Sequence, residues 1–183
     1  MQHWRVIPDC DDPKKGWLEG PLLRLRCALG KGGLLPAQDK REGDKASPVG
    51  KYAVRRVFYR PDKVAKPITA LPIFENAPNL GWCDAPDHKA YNKLVSLPFS
   101  ASHEKLWRED DLYDLVLVIG HNDAPVVAGH GSAIFLHIMR NNYSPTDGCV
   151  SFKREDLVKF LRLLQPDDKI EICWPNTAQK PVL

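Results

Sequence analysis

Frequent chain-breaking residues constrain the fold of this sequence more than any other feature. Sixteen prolines and twelve glycines divide its 183 residues into short runs. Proline lacks the amide donor that helices and sheets both use, and glycine favours turns. The runs between these breaks are rich in the aliphatic, β-branched and aromatic residues of strands, over residues 4–7, 22–29, 51–60, 114–120, 133–138 and 169–174. The pattern therefore predicts a mainly β fold.

Two other stretches break this rhythm. Residues 155–164 have apolar side chains on one face and charged side chains on the other, and Pro166 ends the pattern, which predicts an amphipathic helix. Its apolar positions are Leu157, Val158, Leu161 and Leu164. Five prolines between residues 61 and 86 instead predict a surface loop, under which Trp82 is expected to pack.

The composition bounds the class of protein. A chain that is 43% hydrophobic and 27% charged suits one globular domain over residues 1–183. The net charge of +3 comes from 26 basic and 23 acidic residues spread along the chain, so we expect no nucleic-acid partner. No run approaches the roughly 20 apolar residues of a membrane span. The N-terminus lacks the layout of a secretion signal, so we expect either a cytoplasmic protein or an export signal that is missing here or unusual.

The cysteines are unlike those of a disulfide framework or a structural zinc site. There are five, an odd number, and no two form a Cys-x-x-Cys pair. Cys27 and Cys173 lie in strand-like runs, where a free cysteine is usually a small buried apolar residue. Cys149 follows Thr-Asp-Gly in a loop, where backbone N–H groups can turn towards a thiol.

A histidine twelve residues earlier makes Cys149 a candidate nucleophile. His137 leaves an apolar strand-like run, and a turn-rich loop separates it from the cysteine, so the two can meet in space. In this interpretation His137 is the base, and the amides of Gly148 and Cys149 stabilise an oxyanion. The alternatives are a hydrogen-bonded core histidine and a loop cysteine without a catalytic role.

Other histidines offer a competing interpretation. His121 follows the most strand-like segment of the chain, and with Asp123, His130 and His137 it forms a possible set of metal ligands. None of their spacings is a recognised ligand pattern, so we predict no metal and no cofactor.

The motifs around this pair resemble the active-site signature of the L,D-transpeptidases, the YkuD-like family. In that signature a strand histidine precedes a Ser/Thr-x-Gly-Cys element, which Thr146, Gly148 and Cys149 match here. Upstream, residues 44–52 resemble the Thr-Pro-x-Gly-x-Phe/Tyr segment, and residues 87–92 resemble an Asp-x-x-Tyr-Asn pattern. Asp147 and Ser151 depart from the common pattern, which has histidine and arginine or asparagine at these places.

The resemblance implies a β-sandwich catalytic domain with a helix after the cysteine. It implies a thioacyl-enzyme mechanism on peptidoglycan stem peptides, as donor and acceptor, in the periplasm or cell envelope. Products would be 3-3 or 1-3 crosslinks, or exchange of a terminal D-amino acid. We predict that His121, Asp147 and Thr146 orient His137 or bind substrate. An L,D-carboxypeptidase, a non-catalytic wall-binding domain and a metal-dependent hydrolase stay open as alternatives.

Overall fold

The computed structural model describes residues 2–175, which are mainly β. The strands are β1 (His3–Pro8), β2 (Lys15–Gly20), β3 (Leu23–Ala28), β4 (Leu34–Pro36), β5 (Ser47–Tyr59), β6 (Ile73–Glu75), β7 (Leu80–Cys83), β8 (Leu94–Ser96), β9 (His103–Lys105), β10 (Leu115–Ile119), β11 (Phe135–Ile138), β12 (Val150–Phe152) and β13 (Lys169–Ile172). The single α-helix in this part of the chain is α1 (Arg154–Leu163), and short 3-10 turns span Asp111–Tyr113 and Asn141–Tyr143. Also within residues 2–175, no helix has both the length and the apolar character needed to cross a membrane.

One long strand closes the main sheet on itself. Residues 50–53 of β5 pair with β13, and residues 54–59 pair with β10. The hydrogen-bonded circuit then runs from β10 through β11, β12, β3, β2 and β1 to β13. A sheet that returns to its starting strand has an inner face wrapped around a core. The predicted mainly β fold, with a sandwich of sheet faces and a helix after Cys149, is confirmed.

The core follows from the alternation of side chains along the central strand. β10 is buried at all five positions and lies between β5 and β11, as expected for an unbroken apolar run. Leu115, Leu117 and Ile119 join the larger hydrophobic cluster, whereas Val116 and Val118 belong to a smaller one that includes Cys149. The candidate nucleophile therefore lies on the opposite face of this strand from the main core.

Helix α1 covers one side of the main core. Leu157 and Leu161 are fully buried, as predicted, and so is Phe160, whose ring meets Trp4 edge to face at 4.9 Å. Each such side chain contributes about 1.5–3 kcal/mol by leaving water. The helix begins at Arg154, directly after β12, so its packing helps to fix the strand that carries the end of the candidate active-site loop.

Two predictions about strands need correction. β2 was not predicted, because Lys-Gly-Trp-Leu-Glu-Gly has little strand character of its own and is held by ladders to β1 and β3. The proline-rich region 61–86 is not loop throughout, since it contains β6 and β7. Strands of three or four residues fit between prolines, and β7 forms a second, small sheet with β8 and β9. Trp82 of β7 is buried, as predicted.

Candidate active site

A rigid turn presents Cys149 at the start of β12. Gly148 has a φ of +126°, and a Cβ at this position would lie 2.9 Å from the carbonyl oxygen of Ala46. Only glycine accommodates both conditions without strain. Within the turn, the Gly148 amide donates to Thr146 Oγ1 at 3.1 Å, and Thr146 Oγ1 donates to the Cys149 carbonyl at 2.6 Å. Thr146 therefore stabilises the turn from inside.

Ser47, the first residue of β5, braces the same turn from outside. Its fully buried hydroxyl donates to the carbonyl of Gly148 at 2.8 Å and accepts a hydrogen bond from the amide of Gly30 at 2.9 Å. This one side chain joins three segments that are far apart in sequence. Ser47 belongs to the upstream motif, but its role was not predicted, because the sequence does not indicate that its partner lies 101 residues away.

The thiol of Cys149 is held by the strand that carries His137. Sγ donates to the carbonyl of Ala133 at 3.2 Å and accepts the N–H of Phe135 at 3.3 Å. Ala133 itself has a φ of +52°, an unusual conformation for a residue with a side chain. Cys149 is only 7% exposed, and burial raises the pKa of its thiol to about 12. The resting thiol is therefore protonated.

The imidazole of His137 is fixed by its own strand. Nδ1 lies 2.8 Å from the carbonyl of Ile138, which can only accept a hydrogen bond, so Nδ1 carries the proton and Nε2 carries a lone pair. The ring of Tyr113 packs edge to face against it at 5.3 Å. His137 is buried, and desolvation lowers its pKa to about 4. A neutral imidazole with a free Nε2 is the form that accepts a proton.

One cavity receives both groups. His137 and Cys149 line the same depression, of about 510 Å³, together with charged side chains at its walls and mouth. The parallel pairing of β11 with β12 sets His137 opposite Ser151, two residues after the cysteine. Across residues 2–175 no direct hydrogen bond joins the thiol to the imidazole, since each has a backbone partner instead.

The two amides predicted to form an oxyanion hole differ in their contacts. That of Gly148 is occupied by Thr146 Oγ1, as described above. The amide of Cys149 has no hydrogen-bond partner within the described chain. Of the predicted pair, the Cys149 N–H is therefore the donor that is available in this conformation.

No hydrogen bond or ring contact joins His121 to His137 within residues 2–175, and its role in orienting His137 or binding substrate stays a prediction. β11 pairs Val116 of β10 with His137, whereas His121 lies in a turn beyond the end of β10, where its amide donates to the carbonyl of Ile119 at 2.9 Å. Its Nε2 lies 3.1 Å from the carbonyl of His130, and its ring packs against Tyr52. His121 lines a separate cavity. The hydrogen-bond partner of the His137 imidazole is the carbonyl of Ile138.

Asp147 lies at the mouth of the cavity rather than against His137. Its side chain is 71% exposed, and it forms an ion pair with Lys31 at 2.6 Å. This position rules out a direct hydrogen bond to the imidazole in this conformation but leaves Asp147 facing any ligand that enters.

The histidines do not converge as a metal site would require. Asp123 forms a bidentate ion pair with Arg55, at 2.7 and 3.1 Å. Over residues 2–175 there is no group of three or more histidine, cysteine or acidic side chains placed to hold a metal ion.

Asn92 is a structural residue of the site whose role was not predicted. Its Oδ1 accepts hydrogen bonds from Trp82 Nε1 at 2.9 Å and from the amide of Ala133 at 3.1 Å. Its Nδ2 donates to the carbonyls of His121 and Asn122. Asn92 thus fixes the residue whose carbonyl accepts the thiol. The Tyr91-Asn92 pair within the upstream motif was the only signal in the sequence.

These features define a mainly β protein with a cysteine and a histidine on one cavity beside a Thr-x-Gly-Cys turn. The family model of the L,D-transpeptidase catalytic domain, YkuD, matches residues 14–172. The chain therefore belongs to the L,D-transpeptidase family, which acts on peptidoglycan.

The comparison with solved structures gives a distant match. The crystal structure of Mycobacterium tuberculosis L,D-transpeptidase 1 is similar over 94% of this chain and 62% of that chain, with a TM-score of 0.38 and 11% sequence identity. This chain thus spans less than two thirds of the length of that protein. No curated protein matches the chain.

Proposed function

We propose that this protein is a cysteine-dependent L,D-transpeptidase that acts on peptidoglycan stem peptides. The observation that carries the proposal is the convergence of Cys149 and His137 on one cavity, with the cysteine presented by a braced turn. Family membership supplies the substrate class.

In the first half-reaction the donor stem peptide is cleaved. Nε2 of His137 takes the proton of Cys149 as Sγ attacks the amide carbonyl that follows the L-configured centre of the donor residue. The electron pair of the carbonyl moves to oxygen, and the amide of Cys149 donates to that oxyanion. The C–N bond then breaks, and the imidazolium returns the proton to the departing amine of the D-amino acid. A thioester remains on Cys149.

The second half-reaction transfers the acyl group to an acceptor. An amine of a second stem peptide attacks the thioester, and His137 accepts its proton. As the C–S bond breaks, the thiolate recovers that proton. Because burial keeps the resting thiol and imidazole neutral, proton transfer is coupled to attack and does not precede it. Asp147, at the mouth, contacts incoming substrate.

The test is muropeptide analysis of purified sacculi after incubation with the protein. Wild type is expected to produce new crosslinked dimers, whose fragmentation distinguishes 3-3 from 1-3 linkage. Cys149→Ala and His137→Gln are expected to lose at least about a thousandfold in rate, as removal of a nucleophile or base generally costs. Cys173→Ala, which removes a half-buried thiol that does not line the cavity, is the matched control and retains activity.

The outcomes separate the alternatives. Shortened stems without dimers would make water the acceptor and the protein an L,D-carboxypeptidase. Products that persist in Cys149→Ala, or an absence of any product with retained muropeptide binding, would refute the cysteine mechanism. A carbapenem provides a second readout, with a covalent adduct expected on wild type and none on Cys149→Ala by mass spectrometry.

A further inference from the structure

The small sheet contributes an acidic wall to the catalytic cavity. The register of β7 with β9 pairs Trp82 with Glu104 and Cys83 with His103, so Asp84, the next residue, emerges beside the same strand. Its amide donates to the carbonyl of Ser102 at 3.3 Å, which fixes the backbone there. Asp84 and Glu104 both line the cavity that contains Cys149.

Asp84 has an oxygen with no partner. Its Oδ1 is buried and accepts no hydrogen bond within residues 2–175, and no ion pair to Asp84 occurs in that part of the chain. A buried carboxylate oxygen without a donor is costly, because desolvation of the charge is uncompensated. Because Asp84 lines the cavity, a ligand that enters it can bring the missing donor.

Glu104 is only partly neutralised by its neighbours. The hydroxyl of Tyr113 donates to it at 2.8 Å, but that group is neutral. Arg108 Nη1 lies 3.6 Å away, while Nε and Nη2 of the same guanidinium bind Asp110 at 2.7 and 2.8 Å. Burial raises the pKa of Glu104, and the charge of Asp84 raises it further. The two carboxylates therefore share a deficit of positive charge.

The other charged groups around the cavity do not fill this deficit. Lys31 is paired with Asp147, and Lys40 forms an ion pair with Asp44. Lys45 also lines the cavity, but it is exposed and forms no ion pair with Asp84 or Glu104 in the described part of the chain. Arg140 lies 3.5 Å from Asp110, which already holds Arg108.

A second, independent group also lacks a partner on this cavity. Ser151 is fully buried, lines the cavity and has a hydroxyl without a hydrogen-bond partner within the described residues. It lies beside His137 on the neighbouring strand. Unsatisfied polar atoms on separate walls indicate a cavity built around a polar ligand rather than an apolar one.

We propose that Asp84, together with Glu104, binds a primary ammonium group of the stem-peptide substrate. The inference rests on the proposed function for the identity of the substrate, and on the unpartnered oxygen and the acidic wall for the recognised group. An ammonium supplies three donors and one positive charge, which matches two carboxylates with one vacant oxygen. Asp84 is thus a specificity-determining residue.

Such binding also affects the nucleophile. After burial, the negative charge of Glu104 is the largest factor that raises the pKa of the Cys149 thiol. An ammonium lodged against Glu104 offsets that charge and so favours the thiolate. A substrate that carries the amine therefore contributes to activation of the cysteine, whereas an analogue without it does not.

The test compares two stem tetrapeptides that differ only at the side-chain amine, which is free in one and acetylated in the other. Binding to Cys149→Ala and to wild type is measured by isothermal titration calorimetry, and thioester formation on wild type by mass spectrometry. The free amine is expected to bind at least about tenfold more tightly, the range of one charge-assisted hydrogen bond. In Asp84→Asn the preference is expected to fall to about threefold or less.

Asp87→Asn is the matched control. It removes the same charge three residues away, at an exposed position that does not line the cavity, and it should keep the full preference. Equal affinity of wild type for both peptides, or an undiminished preference in Asp84→Asn, would overturn the inference. Preferential binding without any thioester would refute the proposed cysteine chemistry but leave the ammonium subsite standing. Thioester formation without preference would do the reverse.

Discussion

Removal of the Ser47 hydroxyl tests whether the nucleophile turn is held from outside. In Ser47→Ala the Gly148 carbonyl loses its donor at 2.8 Å, and the Gly30 amide loses its acceptor at 2.9 Å. Neither lost bond is replaceable by solvent without rearrangement, because residue 47 is fully buried. The substitution therefore leaves two buried backbone groups unsatisfied.

The expected cost follows from that count. A buried polar group without a partner costs about 1–3 kcal/mol, so two such groups predict a loss of about 2–6 kcal/mol in the free energy of unfolding. This is a large share of the roughly 5–15 kcal/mol that stabilises a typical domain. Because Gly148 directly precedes Cys149, we also expect the rate of thioester formation to fall by at least about tenfold under conditions where the protein stays folded.

Urea denaturation gives the free energy of unfolding. Wild type and variant are comparable if this free energy depends on urea concentration with the same slope in both. Mass spectrometry of the acyl-enzyme gives the rate. Ser96→Ala, which deletes the same hydroxyl at an exposed position of β8, should change the free energy of unfolding by less than about 0.5 kcal/mol. A loss below about 1 kcal/mol in Ser47→Ala would refute the brace. If the free energy of unfolding falls by the expected amount but the rate of thioester formation is unaltered, the Ser47 hydrogen bonds stabilise the fold without positioning Cys149.

Two further predictions concern acid stability and the glycine of the turn. Burial lowers the pKa values of His121 and His137 to about 4, so the folded state binds fewer protons than the unfolded one below about pH 6.5. The free energy of unfolding should fall between about pH 6.5 and 4, by up to about 1.4 kcal/mol per pH unit for each histidine. Urea titrations at several pH values should show a weaker dependence of this free energy on pH for His121→Asn than for wild type, and equal dependences would contradict the pKa shift. Gly148→Ala should lose about 2–4 kcal/mol by chemical denaturation, from a positive φ and a 2.9 Å clash. Gly129→Ala, with a φ of +75° and open space at its Cβ, isolates the backbone contribution at about 1–2 kcal/mol, and equal losses at the two positions would exclude the clash.

Two buried carboxyl groups change the stability in the same acid range, but in the opposite direction to the histidines. The pKa values of Glu104 and Asp114 are raised by burial, so protonation of these groups favours the folded state as the pH falls. The free energy of unfolding of wild type therefore depends less steeply on pH than the two histidines alone would predict. The carboxyl groups contribute equally to wild type and His121→Asn. Comparing the pH dependence of the free energy of unfolding in the two proteins therefore isolates the contribution of His121.

Local patterns in the sequence were sufficient to predict the helix and six of the thirteen strands in the described residues, chiefly the longer ones. β10 is an unbroken apolar run and α1 has helical periodicity, and both signals are contained within ten residues. β2 was missed because its conformation is set by neighbouring strands rather than by its own residues. The dual pairing of β5 is likewise non-local, because a strand pattern does not indicate where one partner ends and the next begins.

The same division between local and distant information applies to the site. His137 and Cys149 were predicted from a short stretch in which a strand, a turn and a glycine follow one another. The contacts of His121 were not predicted, because closeness in sequence to a strand end does not say which segments pack there, and its imidazole meets the carbonyl of His130 and the ring of Tyr52. Ser47 and Asn92 act through partners 101 and 41 residues away, which no local pattern reveals.

These distant partners explain how the fold keeps a neutral thiol in a reactive position. Ser47 holds the carbonyl before Cys149, and Asn92 holds the residue whose carbonyl accepts the thiol proton. Both anchors are buried and belong to segments fixed by the sheets, so the sulfur is positioned without being ionised. Transfer of the thiol proton then depends on what enters the cavity, because the charge of Glu104, which is only partly neutralised, opposes the thiolate until a cation meets it. In the proposed mechanism, a bound amine-bearing substrate therefore makes the positioned sulfur more nucleophilic than it is in the empty cavity.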